Sequence, residues 1–206
     1  MRMMPLAELV GWWRSLPASA GRTRVLALDG RSGAGKTTVA AGLAAAAALP
    51  DAAVVDLDAI CPGWDGLAAA PRLLVEHVLE PLSQGRPAGY PRWDWEADRP
   101  ARWHPLEPPE PHLLLIEGIG CGARVCAPYL SGLLWLEAPA GLRRDRALAR
   151  DGDTYAPNWQ RWADQEQAYL DAEQPWERAD LVLDGAPSPA PATSGTVLVL
   201  ADRRRR

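Results

Sequence analysis

Gly30-Arg31-Ser32-Gly33-Ala34-Gly35-Lys36-Thr37 satisfies the spacing G-x-x-x-x-G-K-[ST], the pattern of a loop that wraps a polyphosphate. The glycines let backbone N–H groups curl around phosphate oxygens without a Cβ in the way. A helix opening at Lys36 aims the positive end of its dipole at the same oxygens. Lys36 is placed to reach the β- and γ-phosphates, and the Thr37 hydroxyl to complete the coordination of Mg²⁺; Thr38 closes the nucleotide-binding run. Lys36 is also the only lysine among 22 basic residues, the rest being arginine. A composition that drives lysine out yet keeps this one marks a position where a slim ammonium works and a broad guanidinium does not.

Carboxylates supply the second set. Asp56 and Asp58 close an apolar run, AVVDLD (Ala53–Asp58), at the edge where open α/β sheets bind ligands. Two residues apart on a strand, they share a face. Asp58, nearer the end, is the better placed to take the proton of an attacking hydroxyl, while Asp56 reads equally well as a loop cap. Glu117 ends the run HLLLIE and could hold Mg²⁺ directly or through water. Arg143, Arg146 and Arg150 share one helix face and suit a lid that neutralises charge growing on a transferring phosphoryl group. With Asp145 and Asp151 nearby, the same helix also reads as a solvated basic surface. For a small acceptor molecule the candidates are Asp65, Tyr90, Arg92, Trp93, Asp94 and Trp95. Aromatic faces suit a planar base or sugar, Arg92 and Asp94 suit polar edges, and Asp65 suits a ribose hydroxyl pair. The bland reading of this segment is a surface loop stapled by tryptophans.

Strands and helices must hold these groups. Apolar runs at 24–29, 53–58, 112–117, 133–137, 179–184 and 196–200 read as strands. Helices are expected over 36–49, stopped by Pro50, over 71–79, ended by Pro81, and over 142–150 and 158–172. Near the N-terminus, Leu6, Leu9, Val10 and Trp13 form one face of a helix over about Pro5 to Leu16. Glu8 and Arg14 interrupt what would otherwise loosely imitate a secretory signal. Residues 85–111 carry seven prolines and three tryptophans, a linker or a functional insertion that cannot hold a long helix. The expected organisation is an N-terminal helical extension (1–22), one domain (23–202) with an acceptor-side insertion at 85–111 and a lid at 140–157, and a frayed arginine tail (203–206). Strands alternating with helices give an α/β class with a parallel sheet covered on both faces.

Composition narrows the function. At 206 residues, with 48% hydrophobic and 23% charged, the chain is too apolar for disorder, and no window approaches the roughly 18 apolar residues of a membrane span. A net charge of −4 gives no general attraction to nucleic acid or anionic lipid. The three cysteines, Cys61, Cys121 and Cys126, read as thiols in a reducing cytoplasm. A small G protein would need N-K-x-D, and the only asparagine, Asn158, precedes Trp159. The chain is short for a motor. A small-molecule kinase is the reading left. A nucleoside monophosphate kinase and a slowly hydrolysing ATP-binding regulator stay open as alternatives.

The loop at Gly30–Thr38, the Asp58 strand end, Trp93-Asp94-Trp95, Ile116-Glu117-Gly118 and the Arg143–Arg150 helix occur in an order that resembles the uridine kinase family, within the nucleoside-monophosphate-kinase-like P-loop proteins. The similarity spans about residues 24–184 and extends to ATP-binding proteins grouped near that family. It implies the P-loop NTPase fold, a parallel five-stranded core in the order 2-3-1-4-5, ATP as donor with Mg²⁺, and a nucleoside-like acceptor. Asp58 would match the catalytic aspartate of the family's D-x-[FL]-Y, Glu117 the glutamate of E-G-[IV], and Trp93-Asp94-Trp95 the family's Y-D-F. Cys61 stands where the family has tyrosine, which removes an aromatic neighbour of the acceptor.

Overall fold

The computed structural model describes residues 1–50, 53–106, 112–186 and 195–204. The Pro/Ser/Ala-rich stretch 187–194 lies outside them, as do Pro108, Pro109, Pro111, Arg205 and Arg206. A seven-stranded sheet forms the centre. Its strands are β1 (Arg2–Pro5), β2 (Arg24–Asp29), β3 (Val54–Asp56), β6 (Leu113–Glu117), β7 (Gly132–Glu137), β8 (Leu181–Asp184) and β9 (Thr196–Asp202). The spatial order is β1-β9-β8-β7-β2-β6-β3. The five strands from β3 to β8 run parallel, and counted along the chain their order is 2-3-1-4-5, as expected. β9 and β1 extend the sheet antiparallel.

Alternation along these runs builds two cores. Leu26, Leu28, Leu113, Leu115, Leu134 and Leu136 face helices α1 (Leu6–Ser15) and α2 (Lys36–Ala47). Val25, Ala27, Leu114, Ile116, Leu133 and Trp135 face the opposite layer, which contains α3 (Ala70–Leu74), α4 (Glu80–Ser83) and α6 (Trp159–Glu173). Burial on both faces explains why these strands are uninterrupted apolar runs. In α1 the buried residues are Leu6, Leu9, Val10 and Trp13, the expected face. The short run Arg2–Pro5 had not been read as a strand; it pairs with β9, so residues 1–22 add a strand as well as a helix.

Three further expectations change. Pro81 does not end the helix: a π-turn over Val75–Leu79 carries it into α4, the wider turn accommodating the ring and its missing N–H. Residues 85–111 are neither linker nor loop where described but a hairpin, β4 (Ala88–Asp94) with β5 (Arg99–Leu106), with a register shift between Pro91 and Trp93. A separate two-stranded ribbon tolerates Pro91, Pro100 and Pro105 because half its backbone groups need no partner. The arginine tail is docked at its start: Arg203 N–H donates to Asp180 O at 2.8 Å, and Arg204 pairs with Asp202 and lies over the Trp12 ring. No helix among the described residues is long and apolar enough to cross a membrane.

Candidate active site

Asp29, at the end of β2, fastens the glycine-rich loop at its root. The side chain is fully buried and accepts N–H groups of Gly30 (2.7 Å), Gly120 (3.2 Å) and Gly122 (2.9 Å), with the Tyr169 hydroxyl at 2.6 Å. Burial pushes its pKa up, against the pull of these donors. The loop then turns through Gly33 (φ +76°) and Gly35 (φ +101°), conformations closed to most side chains, and α2 begins at Lys36. Ala34 is buried and shapes the turn from within.

α6 grips the same loop from the side. Glu166, 1% exposed, accepts the Ser32 N–H at 2.7 Å and the Arg31 Nε–H at 3.0 Å. One turn earlier Trp162 Nε1 donates to Ser32 Oγ at 3.0 Å. α5 (Ala140–Tyr155) closes over the top. Arg143, expected in a lid that touches phosphate, is buried and donates to Ala138 O (3.1 Å) and Ser32 O (3.4 Å), so it braces the loop. Arg146 donates to Gly185 O at 2.7 Å while lining the loop's mouth.

Gly33, Gly35, Lys36, Thr37, Thr38, Asp58, Glu117, Arg146 and Arg150 surround a cavity of about 360 Å³. Lys36 Nζ donates to Arg31 O at 3.2 Å across the loop. Thr37 Oγ1 donates to Glu117 Oε1 at 2.8 Å, which brings a hydroxyl and a carboxylate together at the base of the cavity. Glu117 is held above the usual carboxylate range by burial, with Lys36 and Thr37 opposing. One hydroxyl and one carboxylate fit Mg²⁺, which keeps several waters and takes its other ligands from phosphates.

Asp58 does not sit on a strand. β3 ends at Asp56, and Leu57–Ala59 form one 3₁₀ turn capped by Asp56 Oδ1, which accepts the Asp58 N–H at 2.9 Å. The turn still brings both carboxylates to one cavity of about 500 Å³, which borders the cavity at the glycine-rich loop through Ser32, Thr37, Asp58 and Arg150. Burial and the Asp56 charge raise the Asp58 pKa to about 6, against Lys36 and Arg150. Asp56 is raised too, by burial and by Glu117, its register partner on β6.

Trp64, Trp95, Tyr155 and Trp162 wall this second cavity. Of the acceptor candidates only Trp95 lines it, and its Nε1 donates to Asp58 O at 3.1 Å. Trp93 packs near Gly63 and Tyr90 is buried against His104. Asp94 accepts the Glu96 and Ala97 N–H groups and so shapes the hairpin turn. Asp65 pairs with Arg161 at the surface, and Arg92 is exposed. Cys61 is buried beside Gly63 O. Sequence reasoning missed Asp29, Trp64, Tyr155, Trp162 and Glu166. Trp162, Glu166 and Tyr169 fall at i, i+4, i+7, a stripe in which a carboxylate interrupts aromatic residues, and that stripe was readable. A wider groove of about 710 Å³ between Trp135 and Trp176 touches the glycine-rich loop only at Arg31.

No family model matches the sequence, and no curated protein matches it. Solved structures do. A candidate uridine kinase from Bacillus stearothermophilus superposes with a TM-score of 0.62 at 19% identity, over 86% of this chain and 96% of the other. A candidate fructose transport system kinase from Silicibacter sp. TM1040 superposes with a TM-score of 0.54 at 24% identity, over 91% and 97%. The chain has the α/β fold of these P-loop kinases, with a mostly parallel sheet flanked by helices.

Proposed function

We propose that this chain is a Mg-ATP-dependent kinase that transfers the γ-phosphoryl group to a hydroxyl of a small, nucleoside-like acceptor. The observation that carries the reading is the adjacency of two cavities that share Ser32, Thr37, Asp58 and Arg150. One has the groups that hold a polyphosphate; the other has a carboxylate of pKa about 6 beside an aromatic-walled space.

The backbone N–H groups of the loop and the Lys36 ammonium bind the β- and γ-phosphates. Thr37 and Glu117 would hold Mg²⁺, which when bound neutralises charge on the phosphate oxygens. Asp58 accepts the acceptor's hydroxyl proton as that oxygen bonds to γ-phosphorus and the bond to the β-bridging oxygen breaks. Arg146 and Arg150 offset the charge that spreads over the transferring group. Trp95 holds the Asp58 turn in place through its bond to Asp58 O. A monophosphate acceptor would set its phosphate against Asp56 and Asp58, which favours an uncharged hydroxyl at this wall. The three buried thiols fit a reducing compartment such as the cytoplasm.

The test is product formation from ATP and Mg²⁺ with a panel of nucleosides, nucleoside monophosphates and sugars, read by mass. An acceptor that gains 80 Da and stimulates ATP consumption, with Asp58→Asn losing about 10²-fold or more in turnover, supports the reading. ATP consumption that no acceptor stimulates and that Asp58→Asn leaves unchanged overturns it.

A further inference from the structure

The walls of the second cavity favour one kind of acceptor over others. The Trp64 ring lies 5.1 Å from that of Trp95 and 6.1 Å from that of Trp162, with Trp95 and Trp162 6.4 Å apart, all three steeply inclined to one another. Tyr155 adds a fourth ring at 5.5 Å from Trp64. Three indoles and a phenol, packed against one another, line one wall of the space, and aromatic faces at such a wall attract organic cations.

The charge on the same walls points the same way. Asp56 and Asp58 line the cavity, and Arg150 is the one basic residue among the described residues that do. Arg150 also borders the phosphate cavity, where a triphosphate brings its own negative charge. With donor bound, the acceptor side therefore presents two carboxylates with little cationic compensation. A neutral acceptor would pair with Asp58 through its hydroxyl and leave Asp56 without a cationic partner.

We propose that the acceptor is a cation: a small hydroxylated molecule with a quaternised ring or an alkylammonium group, its charge against Asp56 and the indoles and its hydroxyl at Asp58. This rests on the kinase reading, because it takes the cavity to be the acceptor's. Asp56 is the specificity-determining residue; Asp58 keeps the proton.

The experiment is calorimetric titration of the full chain, with Mg²⁺ and a non-hydrolysable ATP analogue present, against two probes of one shape. They are 3-(hydroxymethyl)-1-methylpyridinium and its uncharged counterpart, 3-methylbenzyl alcohol. The cation is expected to bind about tenfold tighter or more, and Asp56→Asn to cut that preference to about threefold or less. Taking the ratio within one protein makes the readout insensitive to loss of folded material. Trp95→Leu should lower the preference while both carboxylates remain. Equal binding of the two probes, tighter binding of the neutral one, or binding of neither overturns the proposal. Titration of the ATP analogue alone tests the kinase reading separately: its failure sinks that reading, and its success alongside equal probe affinities sinks only the cation.

Discussion

The Glu166 carboxylate on α6 accepts the backbone N–H of Ser32, inside the glycine-rich loop, at 2.7 Å. Its other oxygen accepts Arg31 Nε–H and lies 3.9 Å from Arg143 Nη1, so one buried anion ties the loop to α6 and lies close to α5. Removing it leaves the Ser32 N–H without its acceptor and takes the counter-charge from two guanidinium groups that keep other acceptors. Glu166→Ala should therefore cost about 2–4 kcal/mol in chemical denaturation and weaken ATP binding. Glu166→Gln keeps an acceptor for Ser32 and should cost less than half as much. Equal losses in the two variants would show that the charge, and not the Ser32 bond, is what matters.

The raised pKa of Asp58 predicts opposite effects on stability and on catalysis. In the fold the group titrates near 6, against about 3.9 in an unfolded chain. Between those values the folded state binds more protons, so stability falls as pH rises through the window. Above it the ionised carboxylate costs about 2–3 kcal/mol. Asp58→Asn should melt higher than the unsubstituted protein at pH 7.5, with the difference vanishing near pH 4. Acceptor-dependent turnover should decline as pH drops through about 6, because a protonated Asp58 cannot take the hydroxyl proton. A lower melting point at pH 7.5 would contradict the assignment.

How far the sequence disclosed the site follows from what kind of pattern each part leaves. The glycine-rich loop was legible because every residue in it answers to backbone geometry or phosphate chemistry, and the parallel strands because two-sided burial leaves unbroken apolar runs. Tyr90 and Trp93 misled because an aromatic residue beside prolines looks alike whether it faces a ligand or a hairpin's underside. Glu166 and Asp29 escaped because a carboxylate that accepts backbone N–H groups needs no motif, only a partner brought in by the fold from more than ninety residues away. Asp58 reaches the cavity by a route that strand periodicity does not describe: a capped turn puts it beside Asp56.

The Thr37–Glu117 pair makes a separable prediction. In the proposed mechanism both groups act on the metal, while the loop amides and Lys36 hold the phosphates. Thr37→Ala and Glu117→Gln should lower turnover by about 10²-fold and raise the Mg²⁺ concentration needed for half-maximal rate. Affinity for metal-free ATP should change by less than about threefold. The double variant should be little worse than either single one, because the two act as a unit. Losses that multiply would assign them to different tasks.

Gly33 tests whether α5 presses on the loop. Its φ is +76°, and a Cβ there would collide with the Arg143 carbonyl oxygen, which is backbone and cannot swing aside. Gly33→Ala must either flatten the loop or lift the first turns of α5, and α5 carries Arg146 and Arg150 to the phosphate cavity. Both routes disturb triphosphate binding, so ATP-analogue affinity should fall about tenfold or more, with a stability loss of about 1–3 kcal/mol. Gly141→Ala is the matched control in the first turn of α5, where nothing lies within 4 Å and helix propensity alone should yield about 0.5–1 kcal/mol of stabilisation. If Gly33→Ala binds the analogue as well as Gly141→Ala does, the closed position of α5 over the loop has no part in holding the nucleotide.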